Sequence, residues 1–276
     1  MTTAEGVPIR IAALPMYDFP ELRDAHDRFW TALAQSLRAN GVTPVPERLT
    51  RDLGHREVWV HPGLLFGQAC EFPVSKYLRE RLRIISTPRY NAPGCIAYSY
   101  RSAIVVHADE PVSSLEDLRE RRCVVNEPDS NSGMNLFRAA LAPVSGGVRF
   151  FRSVNFSGSH RKSIELVAAR EADVTAVDCV TLGHLQRFHT RLTSQVKVID
   201  WTPSSPCLPF VTSAQTGEAT FQALRSAVAD VFTDSTLAPV RELLLLEGVN
   251  SSPDTTLSRV SELEAQAEQW RYPVLL

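Results

Sequence analysis

Ser157-Gly158-Ser159-His160 opens a short amphipathic segment, which is followed by Glu171-Ala172-Asp173-Val174-Thr175-Ala176-Val177-Asp178. In order, this is a small polar loop, a helix, and a β-branched strand that ends in a carboxylate. A Ser/Gly loop that opens a helix offers backbone N–H groups and the positive end of the helix dipole. Such a loop suits an anion, and here an imidazole and a carboxylate stand close by in sequence.

Outward from this stretch, strands and helices alternate. Ile9–Leu14 is β-rich and predicts a strand. Asp18 with Glu21 three residues later has the form of a capping box, Pro20 fits the first turn, and Leu22, Ala25, Phe29, Leu33 and Leu37 recur at helical spacing. Asn40-Gly41 closes that helix. Tyr17 therefore falls on a strand-to-helix loop, where open α/β sheets bind ligands. Val58–Val60 predicts a short strand, Gly63–Ala69 a short helix, and Arg83–Ser86 a strand. Gly94–His107 is a long β-rich run broken by Tyr98-Ser99-Tyr100-Arg101-Ser102. Cys123–Asn126 is a compact strand, after which Asp129-Ser130-Asn131-Ser132-Gly133 leads into a helix. Val148–Val154, Val174–Val177, Val196–Trp201 and Phe210–Ser213 predict strands. Glu218–Asp234, Pro239–Glu247 and Thr256–Trp270 predict helices. The pattern is α/β with mainly parallel sheets. The helical C-terminal block suggests that the chain returns to an earlier domain, so that residues 1–104 and 205–276 form one lobe and 105–204 an inserted second.

The chain has 276 residues, enough for two domains of ordinary size. Its net charge of −2 creates no field that would gather nucleic acid or an anionic membrane. An anion must therefore be held by local geometry. No apolar run approaches the ~20 residues that span a bilayer. Met1–Pro8 carries no basic n-region and no long apolar h-region. Two readings stay open: a cytoplasmic protein, or a periplasmic one whose leader has been removed. Cysteines stand at positions 70, 95, 123, 179 and 207 with no C-x-x-C pair, which excludes the usual zinc and thioredoxin-like spacings. No metal or cofactor is expected.

Five segments together resemble the phosphonate/phosphate-type periplasmic substrate-binding proteins of ABC transporters, the type 2 (transferrin-like) binding-protein fold. They are Leu14-Pro15-Met16-Tyr17; Phe66-Gly67-Gln68-Ala69-Cys70; Ala92-Pro93-Gly94-Cys95 leading to Tyr100-Arg101-Ser102; Asn131-Ser132-Gly133-Met134-Asn135; and Ser157-Gly158-Ser159-His160 through Asp178. Order and spacing match nearly throughout, up to Ser213. The resemblance implies two Rossmann-like α/β lobes joined by a hinge, with a ligand cleft between them. It also implies a monomer that delivers a small anion or zwitterion to an ABC transporter permease.

The ligand residues it implies are Tyr17, Gln68, Tyr100, Arg101, Ser130, Ser132, Asn135, Ser157, Ser159, His160 and Asp178. Ser159 and nearby N–H groups would hold an oxyanion, with His160 donating to it as a cation, so that binding weakens as pH rises. Asp178 would meet an amine on a zwitterionic ligand. Each residue also has a plainer reading: helix caps for the serines, Asn135 and Asp178, core aromatics for the tyrosines, a salt bridge for Arg101. Cys70 and Cys95 sit in contexts where the family often pairs cysteines, which implies that they lie close and are candidates for a disulfide. Met134 departs from the best-known phosphonate binders, which often have small hydroxyl residues there. Two rival classes remain: an enzyme on the same fold, as in menaquinone or thiamine-pyrimidine biosynthesis, with His160 and Asp178 as acid and base, and a ligand sensor.

Overall fold

A computed structural model describes residues 9–251 and 257–276. The expected start of the last helix at Thr256 lies outside the described residues. The chain packs as two compact units. The first comprises the described residues up to Asn91 together with Cys207 to Ser251; the second comprises Ala92–Pro206 with the residues from Leu257 onward.

The first unit begins with β1 (Ile11–Ala13), α1 (Arg23–Ala39), α2 (His55–Val60), β2 (Leu64–Gln68), α3 (Glu71–Lys76) and β3 (Leu82–Tyr90). The second contains β4 (Ser99–Tyr100), β5 (Ser102–His107), β6 (Arg122–Val125), α4 (Leu136–Ser145), β7 (Ser153–Phe156), α5 (His160–Ala168), β8 (Val174–Asp178), α6 (Cys179–Phe188), α7 (Thr190–Thr193), β9 (Val196–Trp201) and β10 (Ser205–Pro206). The chain then returns to the first unit with β11 (Phe210–Ser213), α8 (Glu218–Thr233), α9 (Ala238–Leu243) and β12 (Leu246–Asn250), and ends in the second with α10 (Leu257–Gln269).

Each unit is built on one five-stranded sheet, in the order β1-β2-β11-β3-β12 and β7-β6-β8-β5-β9. Both sheets are mixed, which corrects the mainly parallel expectation. β11 runs antiparallel to β2 and β3, and β12 antiparallel to β3. In the second sheet, β6 pairs in parallel with β7 and β8, while β5 is antiparallel to β8 and β9.

The unit boundaries fall at 91/92 and 206/207, not at 104/105 and 204/205. All of β5 from Ser102 pairs with β8 and β9, so the second unit claims the segment before residue 105 as well. The tail is a further correction. Ala267, Tyr272 and Leu275 are buried in the second unit's core with Phe137, Leu141, Phe150 and Phe151. The Leu276 carbonyl accepts the Phe150 and Phe151 N–H groups at 2.8 Å each. Residues 257–276 thus cover the sheet that carries β6.

Local readings fail where burial overrides propensity. Val58–Val60 is the end of α2, whose N-cap residue Gly54 donates its N–H to Glu57 Oε2 at 2.8 Å. Leu64–Gln68 is a strand buried along its whole length, so it lacks the alternation of a half-exposed strand. Leu246–Asn250 is a strand, not the end of a helix, because β3 offers it an open edge. Asp18 does not cap a helix: it accepts from Arg51 Nε at 2.8 Å and lies 3.4 Å from His26.

Candidate functional site

Polar side chains converge at the C-terminal end of β6. The Val125 and Asn126 carbonyls accept the Ser157 and Gly158 N–H groups at 2.9 and 2.8 Å, which fixes the loop before α5 to the strand end. Gly158 has a φ of +86°, a turn conformation that suits glycine. Beside it, residues 131–135 form a π-helical turn that continues directly into α4. Ser130 caps this turn, its Oγ accepting the Gly133 N–H at 3.0 Å.

Two hydrogen-bonded chains meet there. In the first, Ser130 Oγ lies 3.3 Å from Ser132 Oγ, which lies 2.7 Å from His160 Nε2. The Ser132 carbonyl accepts Ser102 Oγ at 2.9 Å. In the second, Asn131 Nδ2 donates to Tyr100 Oη at 3.2 Å and Ser205 Oγ at 2.8 Å, and Asn131 Oδ1 accepts Asn135 Nδ2 at 2.9 Å. Asn135 Oδ1 in turn accepts from Arg138 at 2.6 Å. The first chain presents hydroxyls and an imidazole. The second fixes the turn from behind.

Asn126 Oδ1 is buried and has no hydrogen-bond partner among the described residues. It faces Gly133, where any Cβ would overlap it. Close approach of polar groups therefore requires glycine here. Gly133 lies in a segment that carries the resemblance, but neither it nor Asn126 is among the expected ligand residues; the usable signal is Asn126's place at the end of a strand in a parallel pair.

His160 is not the cation expected. Desolvation lowers its pKa to about 4, against the opposing pull of the Ala176 backbone and the Glu127 carboxylate. At neutral pH the imidazole is uncharged and acts through hydrogen bonding alone.

The other expected residues divide. Ser159 caps α5, its Oγ accepting the Lys162 N–H at 3.2 Å, and Ser157 Oγ lies 2.7 Å from Ser163 Oγ. Asp178 is buried and caps α6, its Oδ1 accepting the Thr181 N–H at 2.8 Å. It also pairs in register with Ser102, beside the first chain. Arg101 Nε is buried without a hydrogen-bond partner among the described residues. Met134 packs against the second unit's core. Tyr17 and Gln68 belong to the first unit. Both line a small pocket there, with Tyr17 edge-on to Tyr90 at 5.5 Å and Gln68 Nε2 donating to Tyr90 Oη at 2.7 Å.

The thiol that the structure brings to Cys95 is that of Cys179, with Sγ 3.4 Å from Sγ. Cys70 sits in the first unit, at the start of α3, and the turn carrying Cys95 packs on α6 in the second.

Solved structures share this fold. A binding-protein component of an ABC phosphonate transporter from Pseudomonas aeruginosa superposes with a TM-score of 0.72 at 16% identity, covering 95% of this chain and 87% of its own. PhnD1 from Prochlorococcus marinus, in complex with methylphosphonate, gives 0.71 at 13% identity, covering 95% and 98%. A histidine kinase sensor domain with similarity to periplasmic binding proteins gives 0.54 at 16%, covering 88% and 97%. No curated protein matches the sequence. The model of the family described as "ABC transporter, phosphonate, periplasmic substrate-binding protein" matches residues 69–254. That match spans well over half of the sequence, and the chain belongs to the family of phosphonate periplasmic substrate-binding proteins of ABC transporters.

Proposed function

We propose that this member of the family captures a small phosphonate- or phosphate-like oxyanion at the end of β6, in the periplasm, for delivery to an ABC transporter permease. The observation that carries this reading is the Ser130–Ser132–His160 chain at the start of the 131–145 helical run. Hydroxyl donors and the N-terminus of a long helix stabilise an oxyanion without net positive charge, as a chain of net charge −2 requires. A neutral imidazole adds a hydrogen bond, and its charge state does not change across the physiological range. Arg101, whose buried Nε has no hydrogen-bond partner among the described residues, would be a further donor to the oxyanion. The place of Asp178 beside Ser102 favours a second form of the same reading, a ligand that also carries an amine.

Thermal unfolding of the purified protein with methylphosphonate, aminomethylphosphonate, phosphate and sulfate tests the proposal. A ligand that binds only the folded state stabilises by roughly 2.7 kcal/mol at a hundredfold excess over its dissociation constant. Stabilisation by a phosphonate or phosphate, reduced in Ser132→Ala, is expected. Preference for aminomethylphosphonate over methylphosphonate assigns Asp178 its amine. An unchanged transition with every oxyanion overturns the proposal.

A further inference from the structure

Two cysteines 84 residues apart meet in the second unit. Cys95 Sγ and Cys179 Sγ are 3.4 Å apart. Cys179 is the first residue of α6 and is buried, whereas Cys95 is partly exposed. The contact is built into the backbone. The Cys95 N–H donates to the Ala92 carbonyl at 2.9 Å, closing a tight turn. Gly94 in that turn has a φ of +100°, and a Cβ on it would overlap the Trp201 ring and stand 2.9 Å from Cys179 Cβ. The Cys179 N–H donates to the Arg101 carbonyl at 3.2 Å, so the start of α6 is held against the same 92–101 segment.

We propose that Cys95 and Cys179 are a redox pair, joined as a disulfide when the protein meets a small-molecule or protein disulfide oxidant. The partly exposed Cys95, as its thiolate, attacks the oxidant's S–S bond, forming a mixed disulfide and releasing one thiolate. Cys179 then gives up its proton, attacks Cys95 Sγ, and releases the second. The Cys95–Cys179 bond forms, the oxidant's bond breaks, and the two leaving thiolates take up the two protons. The pair serves as oxidisable cross-link between the Ala92–Arg101 segment, which carries Tyr100 and Arg101, and the helix capped by Asp178. It is independent of what the protein binds. The adjacent Cys95 thiol raises the Cys179 pKa, as does burial, so the more accessible Cys95 initiates the exchange.

The test is thiol mapping of the native full chain. Protein equilibrated with excess oxidised glutathione is acid-quenched, unfolded, alkylated with N-ethylmaleimide and digested with trypsin. Of the five cysteines three are expected to be alkylated, and the peptide 90–101 is expected to be joined to 171–187; reduction restores all five. In Cys179→Ser, Cys95 is expected to stop at the glutathione mixed disulfide, and in Cys95→Ser, Cys179 stays reduced. Five alkylated cysteines in the oxidised wild type, persistence of its mixed disulfide, or a link from 90–101 to the peptide of Cys70, each overturns the proposal. The wild-type map decides even if a variant fails to fold.

Discussion

Ser132 Oγ and His160 Nε2 are 2.7 Å apart although 28 residues separate them in sequence. The contact ties the turn before α4 to the first residue of α5, the two loops that flank the end of β6. Burial, not this contact, sets the charge of the imidazole: taken out of water, His160 stays neutral, with a pKa near 4 in place of 6.5.

The charge state of His160 is therefore expected to be constant from pH 5.5 to 8, a range typical for histidine titration. The imidazole resonances of His160, followed by NMR, should not move across that range. A midpoint near 6.5 would restore the cationic role read from sequence. Stability carries the same signature. The unfolded chain takes up the proton first, so the folded state loses stability as pH falls from 6.5 toward 4, by about 3 kcal/mol at most. His160→Gln should remove that part of the acid limb in denaturant titrations.

Ser132→Ala is expected to weaken oxyanion binding roughly tenfold or more, since a hydrogen bond to a charged group contributes about 1.5–3 kcal/mol. It also leaves His160 Nε2 without its hydroxyl partner. Titration calorimetry with methylphosphonate measures the loss. An unchanged affinity would place the ligand elsewhere.

Gly133→Ala probes the same cluster by volume. The added methyl would overlap Asn126 Oδ1 and stand 3.3 Å from His160 Cε1. Overpacking of this kind costs about 1–3 kcal/mol in stability. The melting temperature should fall, and ligand-induced stabilisation should vanish with it. Asn126→Gly with Gly133→Ala should recover the stability. A double variant no better than Gly133→Ala alone would show that the clash is not with Asn126.

Much of this site was legible because capping and anion binding draw on the same residues. Ser130, Ser132 and Ser159 stood out as small hydroxyl residues before helices, and the structure uses Ser130 and Ser159 as caps. Sequence could not separate a cap from a ligand donor; that depends on where the hydroxyl's second partner lies. Asn126 was invisible, one polar residue after a strand, and its importance comes from a carbonyl buried against a glycine seven positions on. Helix α1 was readable from its apolar spacing. The identities of α2 and β2 were exchanged, because Val-Trp-Val has β-forming side chains while Leu64–Gln68, buried throughout, shows no alternation. Contacts distant in sequence, such as Cys95 with Cys179 and the tail with Phe150 and Phe151, leave no local trace.

Glu71 offers a test outside the site. It is fully buried in the first turn of α3, and neither carboxyl oxygen has a hydrogen-bond partner among the described residues. Burial drives its pKa well above the usual carboxylate value, so the folded protein keeps the proton there. The unfolded chain releases it near the ordinary pKa of 4.5. The contribution of this group to stability is thus fully present below 4.5 and declines as pH rises toward the folded value, by up to about 1.4 kcal/mol per pH unit. Glu71→Gln removes the titration. Urea unfolding of both proteins across a pH series should show the variant gaining on the wild type as pH rises above 4.5, until the folded value is passed. A difference that stays constant with pH would mean that Glu71 ionises in the folded state and has found a counter-charge.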